Sequence, residues 1–187
     1  MAAFFLSVNR NKRSMVLDLK NPAAHAALMR LVDTADVLVH NMRAPAAERL
    51  GLGTGPILAR NPRILDAVTQ IIGPDVLVWS CGFFLKEPSS RSFVSWHQDL
   101  NYWGLDGDDE VTAWYALTPA TPESGCMRFV PGSHRRKDVP HVDKFEPDNL
   151  LSRGQEIAFK VDEAATVNVS LQVGQASFHH GHLFHAS

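Results

Sequence analysis

The 187-residue chain has two cysteines, Cys81 and Cys126. That is too few for a disulfide framework, which excludes the small stapled secreted domains and predicts reduced thiols in a cytoplasmic protein. No apolar run reaches the length a membrane helix needs, so no helical membrane span is expected. Neither sign of charge is in excess: 18 basic and 20 acidic side chains leave a net charge of -2. This balance argues against nucleic acid as a partner and against an acidic solvating tail. The opening string MAAFFLSVNRNKR places its charges after a short apolar stretch, the reverse of a secretory signal. Internal repeats and low-complexity tracts are absent. So are the GxSxG, CxxC, P-loop and HExxH signatures, which removes the commonest hydrolase, redox, nucleotide and zinc-protease readings.

What is present is a core and an unusual histidine distribution. Hydrophobic residues make up 45% of the chain, enough to bury a core. Of nine histidines, seven lie at or after His97, and four (His179, His180, His182 and His185) crowd into the last nine residues. The chemistry is therefore expected in the second part of the chain.

Residues 14–41 read as strand, helix, strand. SMVLDL (14–19) and DVLVHN (36–41) are short apolar runs. Between them, Asn21 followed by Pro22 signals a helix start, and Ala27, Leu28, Leu31 and Val32 form an apolar stripe. This spacing predicts a small βαβ unit. APAAERLGLG (44–53) predicts another helical turn, and GTGPILARNPR (53–63) reads as a linker. ILDAVTQIIG (64–73) is amphipathic and closes on glycine. Beyond it come short runs with the texture of an all-β domain: VLVWSCGFF (76–84), FVSWHQ (93–98), VTAWYALT (111–118), GCMRFVPG (125–132), TVNVSLQV (166–173) and QASFHHGHLFHAS (175–187).

His97-Gln98-Asp99 sits at the end of one such strand. On a strand, residues i and i+2 point to the same side, so the imidazole and the carboxylate face one point. A third imidazole from the C-terminal cluster would complete a two-histidine, one-carboxylate set that leaves iron(II) with open positions. The residues alone leave open which histidine that is, and also leave open zinc bound by several imidazoles.

WHQDLNYW (96–103), WYALTPATPESGCMRFVPGSH (114–134) and VGQASFHHGHLFHAS (173–187), with the lead-in over 64–88, resemble the phytanoyl-CoA dioxygenase family in order and spacing. The resemblance implies a mainly β domain over 64–187, a partial double-stranded β-helix of the jelly-roll or cupin kind. It implies iron(II) and 2-oxoglutarate as cofactors, with His97, Asp99 and His185 as the metal ligands. Trp114 and Ser187 fall at positions near 2-oxoglutarate, while His179, His180 and His182 become neighbours of the site rather than ligands. The implied reaction is hydroxylation of a small-molecule or acyl-CoA substrate. The family also places an arginine about ten residues beyond the distal histidine, where bidentate pairing holds the far carboxylate of 2-oxoglutarate. Ser187 is two residues past His185, so the domain is expected to be incomplete at both ends.

A second resemblance covers about residues 4–64. FFLSVNRNKRSMVLDLKNPAAHAALMRLVDTADVLVHNMRAPAAERLGLG, continued through ARNPRI, is similar to the family III CoA-transferases. It implies that Asp18, Lys20, Asn41, Arg43 and Arg49 line a CoA nucleotide. Their alternative is to be ordinary solvated loop ends. The expected organisation is a transferase-like βαβ fragment over 1–63 joined to an oxygenase-like domain over 64–187, with a seam near Leu58–Leu65. The competing functional reading is a non-catalytic fusion fragment with a CoA-transferase-like nucleotide-binding segment.

Overall fold

The computed structural model describes residues 12–35, 38 and 42–187. The chain divides into two compact units, Met1–Pro62 and Arg63–Ser187.

In the first unit, helix α1 (Pro22–Val32) starts where the sequence predicts. The Asn21 side chain accepts from the amides of Ala23 and Ala24 at 2.9 and 3.4 Å, and proline occupies the first turn, where a missing N–H costs nothing. The buried side of α1 is rotated from the expected stripe. Met29 is buried and Leu31 exposed, because the inward face runs through His25 and Met29, one helical turn apart. The Nε2–H of His25 donates to the Leu50 carbonyl at 2.6 Å, just beyond helix α2 (Ala44–Arg49). The expected linker carries a short helix, α3 (Thr54–Ala59).

The first strand of the expected βαβ unit is corrected. Residues 12–18 have no regular structure and end in a turn at 19–20. Strands exist by pairing. SMVLDL has no partner among the described residues, which leaves Val16 95% exposed. The second expected strand, 36–41, lies outside the described residues except for Leu38, as does Asn41.

The second unit opens with helix α4 (Pro62–Ile72), which buries Val68 and is followed by Gly73 at φ +92°, a conformation that favours glycine. It then becomes mainly β, with strands of two to four residues. These are β1 (Thr112–Tyr115), β2 (Met127–Phe129), β3 (His141–Asp143), β4 (Gln155–Ile157), β5 (Val167–Val169), β6 (Ala176–His179) and β7 (His185–Ala186). All pairings between these strands are antiparallel: β1 with β6, β3 with β4, and a three-stranded sheet in the order β5-β2-β7.

FVSWHQ, expected as a strand, forms isolated bridges instead. Phe93 pairs with Asn149, and His97 pairs with His185 through reciprocal backbone hydrogen bonds of 3.0 and 3.2 Å. After Asp99 the chain turns into one helical turn, α5 (Leu100–Trp103), before the acidic run LDGDDE over 105–110. VLVWSCGFF does not form a strand. Residues 76–85 run without regular structure and expose Leu77, Val78, Trp79, Phe83, Phe84 and Leu85. Cys81 is exposed with them, whereas Cys126 is buried.

Period-two alternation sorts the C-terminal segment into two faces. Trp96, Phe184 and Ala186 point one way, into a core shared with Val139, Ile157 and Val161. His97 and His185, at the alternate positions, point the other way. Full burial of each large apolar side chain on the first face is worth about 1.5–3 kcal/mol. That packing is what holds the histidine-bearing segments in register.

Candidate metal centre

Three side chains converge on one point. A ligating atom of each of His97, Asp99 and His185 lies within 4.8 Å of the other two, and this is the one such group of three or more among the described residues. Asp99 Oδ1 is 3.3 Å from His97 Nε2 and 3.6 Å from His185 Nε2, and the two imidazole centroids are 4.1 Å apart. His97 is 4% and His185 6% exposed.

The two rings are prepared in the same way. His97 Nδ1 lies 2.9 Å from the carbonyl of Ser95, and His185 Nδ1 2.9 Å from the carbonyl of Leu183. A carbonyl only accepts, so each Nδ1 carries the hydrogen and each Nε2 keeps its lone pair toward the shared point. Burial first, and then the neighbouring His97, push the His185 imidazole down to about 3, so it stays neutral at physiological pH. Asp99 shows the opposite balance. Burial alone would raise its carboxyl, but the imidazoles packed against it, His179 and His97 first and then His185, hold it well below the usual carboxylate range. Two imidazole nitrogens and one carboxylate are the donor set that suits iron(II) with open positions, so the residues present fit such an ion.

The other oxygen of Asp99 is engaged separately. The Thr112 hydroxyl donates to Oδ2 at 2.9 Å, and His179 Nε2 lies 3.6 Å from the same atom. Thr112 Oγ1 is also 3.1 Å from Glu110 Oε1. The Glu110 carboxyl is pushed up to about 7, first by burial and then by the charge of Asp99. Glycine is needed at 181 to admit it: a Cβ there would stand 2.3 Å from Glu110 Oε2 and 2.6 Å from Leu100 Cγ.

The sheet β1–β6 supplies one wall. In its register Thr112 lies opposite His179 and Trp114 opposite Ser177, so these four side chains share a face. Thr112 and His179 touch Asp99, which makes this the site face and places half-buried Trp114 on it. The Ser177 hydroxyl and both ring nitrogens of His179 are buried on that face without a hydrogen-bond partner. Phe129 of β2 closes the opposite wall, with its ring 5.0 Å from that of His179 and 6.3 Å from that of His185. Ser187 is held through its backbone, which exchanges hydrogen bonds of 2.8 and 3.0 Å with Val94. His134, His180 and His182 form a separate row: His180 stacks on His182 at 5.3 Å, and His182 Nδ1 lies 3.3 Å from Asp138.

Sequence reasoning passed over Gln98, Glu110, Thr112 and Ser177. The signal for Thr112 and Ser177 is the alternation along VTAWY and ASFH, which sets them beside Trp114 and His179. Nothing in the string HQD marks Gln98, whose side chain is wholly buried.

The sequence matches the Phytanoyl-CoA dioxygenase (PhyH) family over residues 8–187. It is 27% identical over 132 residues to a probable alpha-ketoglutarate-dependent hypophosphite dioxygenase of Stutzerimonas stutzeri, covering 70% of this chain and 46% of that protein. Over a 67-residue segment it is 40% identical to a probable fatty acyl-CoA transferase of Mycobacterium tuberculosis, covering 36% of this chain and 17% of that protein. Among solved structures, the apo form of the non-haem monooxygenase ThoJ superposes with a TM-score of 0.60 at 34% identity, covering 91% of this chain and 64% of that one. The chain thus spans less than two thirds of each of these relatives.

Proposed function

Because the chain belongs to the phytanoyl-CoA dioxygenase family, whose enzymes use iron(II) and 2-oxoglutarate, we propose that it acts as a 2-oxoglutarate-dependent hydroxylase of a small-molecule or acyl-CoA substrate. In this reading the second unit is part of a double-stranded β-helix, and the oxygenase region begins near residue 64, after the CoA-transferase-like segment over 1–63. His97, Asp99 and His185 hold the metal. Trp114, Ser177 and Ser187 lie along the place for 2-oxoglutarate. The observation that carries the reading is the convergence of two Nε2 lone pairs and one carboxylate oxygen, with both Nδ1–H groups already committed to backbone carbonyls.

Bound there, iron(II) supplies the chemistry that couples decarboxylation of 2-oxoglutarate by dioxygen to insertion of one oxygen atom into a substrate C–H bond, the other oxygen leaving in succinate. The protein's own part is to bind and orient. The Nδ1 hydrogen bonds fix the tautomer and aim both rings. Phe129 and the buried β1–β6 face keep bulk water from the ligand atoms. The orphaned Ser177 hydroxyl offers a donor toward a co-substrate oxygen. Neutral, reduced conditions suit both the imidazoles and the ferrous ion, in keeping with a cytoplasmic setting.

A second reading rests on the 40% identity to an acyl-CoA transferase over 67 residues: the N-terminal segment binds a CoA nucleotide without chemistry of its own. The metal-ligating cluster, which lies wholly within 63–187, favours the oxygenase reading.

The test is anaerobic titration of the protein with iron(II) and 2-oxoglutarate. A weak visible metal-to-ligand charge-transfer band is expected, and its loss in both His97→Ala and His185→Ala. Iron bound without the band would sink co-substrate binding. No iron bound at all would sink the reading itself.

A further inference from the structure

The two oxygens of Asp99 face different surroundings. Oδ1 points at the two Nε2 atoms. Oδ2 points away from them, accepts from Thr112 at 2.9 Å, and has His179 Nε2 at 3.6 Å. The hydrogen count at Thr112 extends this arrangement. A hydroxyl has one hydrogen, and an ionised Asp99 can only accept it. Thr112 Oγ1 also lies within hydrogen-bond reach of Glu110 Oε1, at 3.1 Å, so its single hydrogen has two carboxylate acceptors on hand. Thr112 thus stands between Asp99 Oδ2 and Glu110 Oε1. His179, at the end of β6, lines the same side against Phe129, and neither of its ring nitrogens has a hydrogen-bond partner.

We propose that Thr112 and His179 are positioning residues that occupy the outer oxygen of Asp99 and confine this carboxylate to one-oxygen ligation. The inference rests on the metal-site reading above. Its consequence is chemical. A carboxylate that swings to bind through both oxygens takes up a coordination position, and a facial triad works only while positions stay open for co-substrate and dioxygen. Partners in the layer behind a metal ligand are worth about 10–100-fold in metal affinity.

The experiment uses cobalt(II) alone as the probe, with the full chain, and reads both affinity and the visible d–d spectrum, which responds to coordination number. Thr112→Val keeps the shape of the side chain and removes the donor. Its expected outcome is an altered cobalt spectrum and an affinity about tenfold weaker. Thr112→Ser, which keeps the hydroxyl, should match the unaltered protein. A wild-type spectrum and affinity in Thr112→Val overturns the inference. So does a Thr112→Ser protein that behaves like Thr112→Val, since the methyl group and not the hydroxyl would then matter. Should Thr112→Val not fold, His179→Phe removes the other partner of Oδ2 and decides in its place: the same spectral change supports the inference, and an unchanged spectrum overturns it. The parent reading fails separately, and takes this one with it, if the unaltered protein binds no cobalt or if His97→Ala binds it equally well.

Discussion

Gln98 stands between two of the metal-ligating residues and faces away from the metal point. Its amide nitrogen donates to the carbonyls of Lys137 and His182, both at 2.7 Å, and its oxygen accepts from the Val139 amide at 3.0 Å. One side chain therefore satisfies three backbone groups from two distant segments. Its own backbone amide donates to His141 Nε2 at 3.1 Å. Gln98→Leu keeps the volume and leaves those backbone groups unsatisfied, each at about 1–3 kcal/mol. A loss of at least ~3 kcal/mol in chemical denaturation is expected, with weaker metal binding following from the displaced neighbours. An unchanged denaturation midpoint would show that the buried amide is dispensable.

At the scale of elements, the strands that form are those with partners. β1 meets β6 and β2 meets both β5 and β7, whereas residues 76–85, with comparable β propensity, have no ladder among the described residues. Leu77 is 93% exposed in that run. An apolar extended segment of this kind is a pairing surface for other chains. The double substitution Val78→Lys, Phe84→Lys is expected to lower self-association in light scattering and leave the thermal midpoint within about 0.5 kcal/mol of stability, as substitutions away from packed contacts do. A drop in the midpoint would mean the run is packed in solution.

The same contrast explains what the sequence made legible. The HxD spacing and the histidine cluster are local patterns, and two of their members needed only strand geometry to face each other. The Asn21-Pro22 helix start is local too. The strand expected at 14–19 and the one at 76–84 depended on pairing, which no local string encodes. Gln98 and Thr112 owe their roles to contacts across 84 and 13 positions of chain, and Thr112 also to a register fixed only once β1 meets β6.

Taken whole, the chain joins two compact units, and the metal-ligating residues all belong to the second. Within it, the segment carrying His97 and the segment carrying His185 are held by four reciprocal backbone hydrogen bonds, His97 with His185 and Val94 with Ser187. A metal ion on both imidazoles and Asp99 would pull on the same two segments. By mass action, an ion present at a hundred times its dissociation constant stabilises the folded form by about 2.7 kcal/mol. The thermal midpoint of the unaltered chain should therefore climb with added cobalt(II), and that of Asp99→Ala should not. The short bridge between His97 and His185 thereby acquires a second meaning. Its two amide hydrogens belong to the ligand residues themselves, each bonded to the other's carbonyl, so the rate at which they exchange with deuterium is a local gauge of how often the ligand pair comes apart.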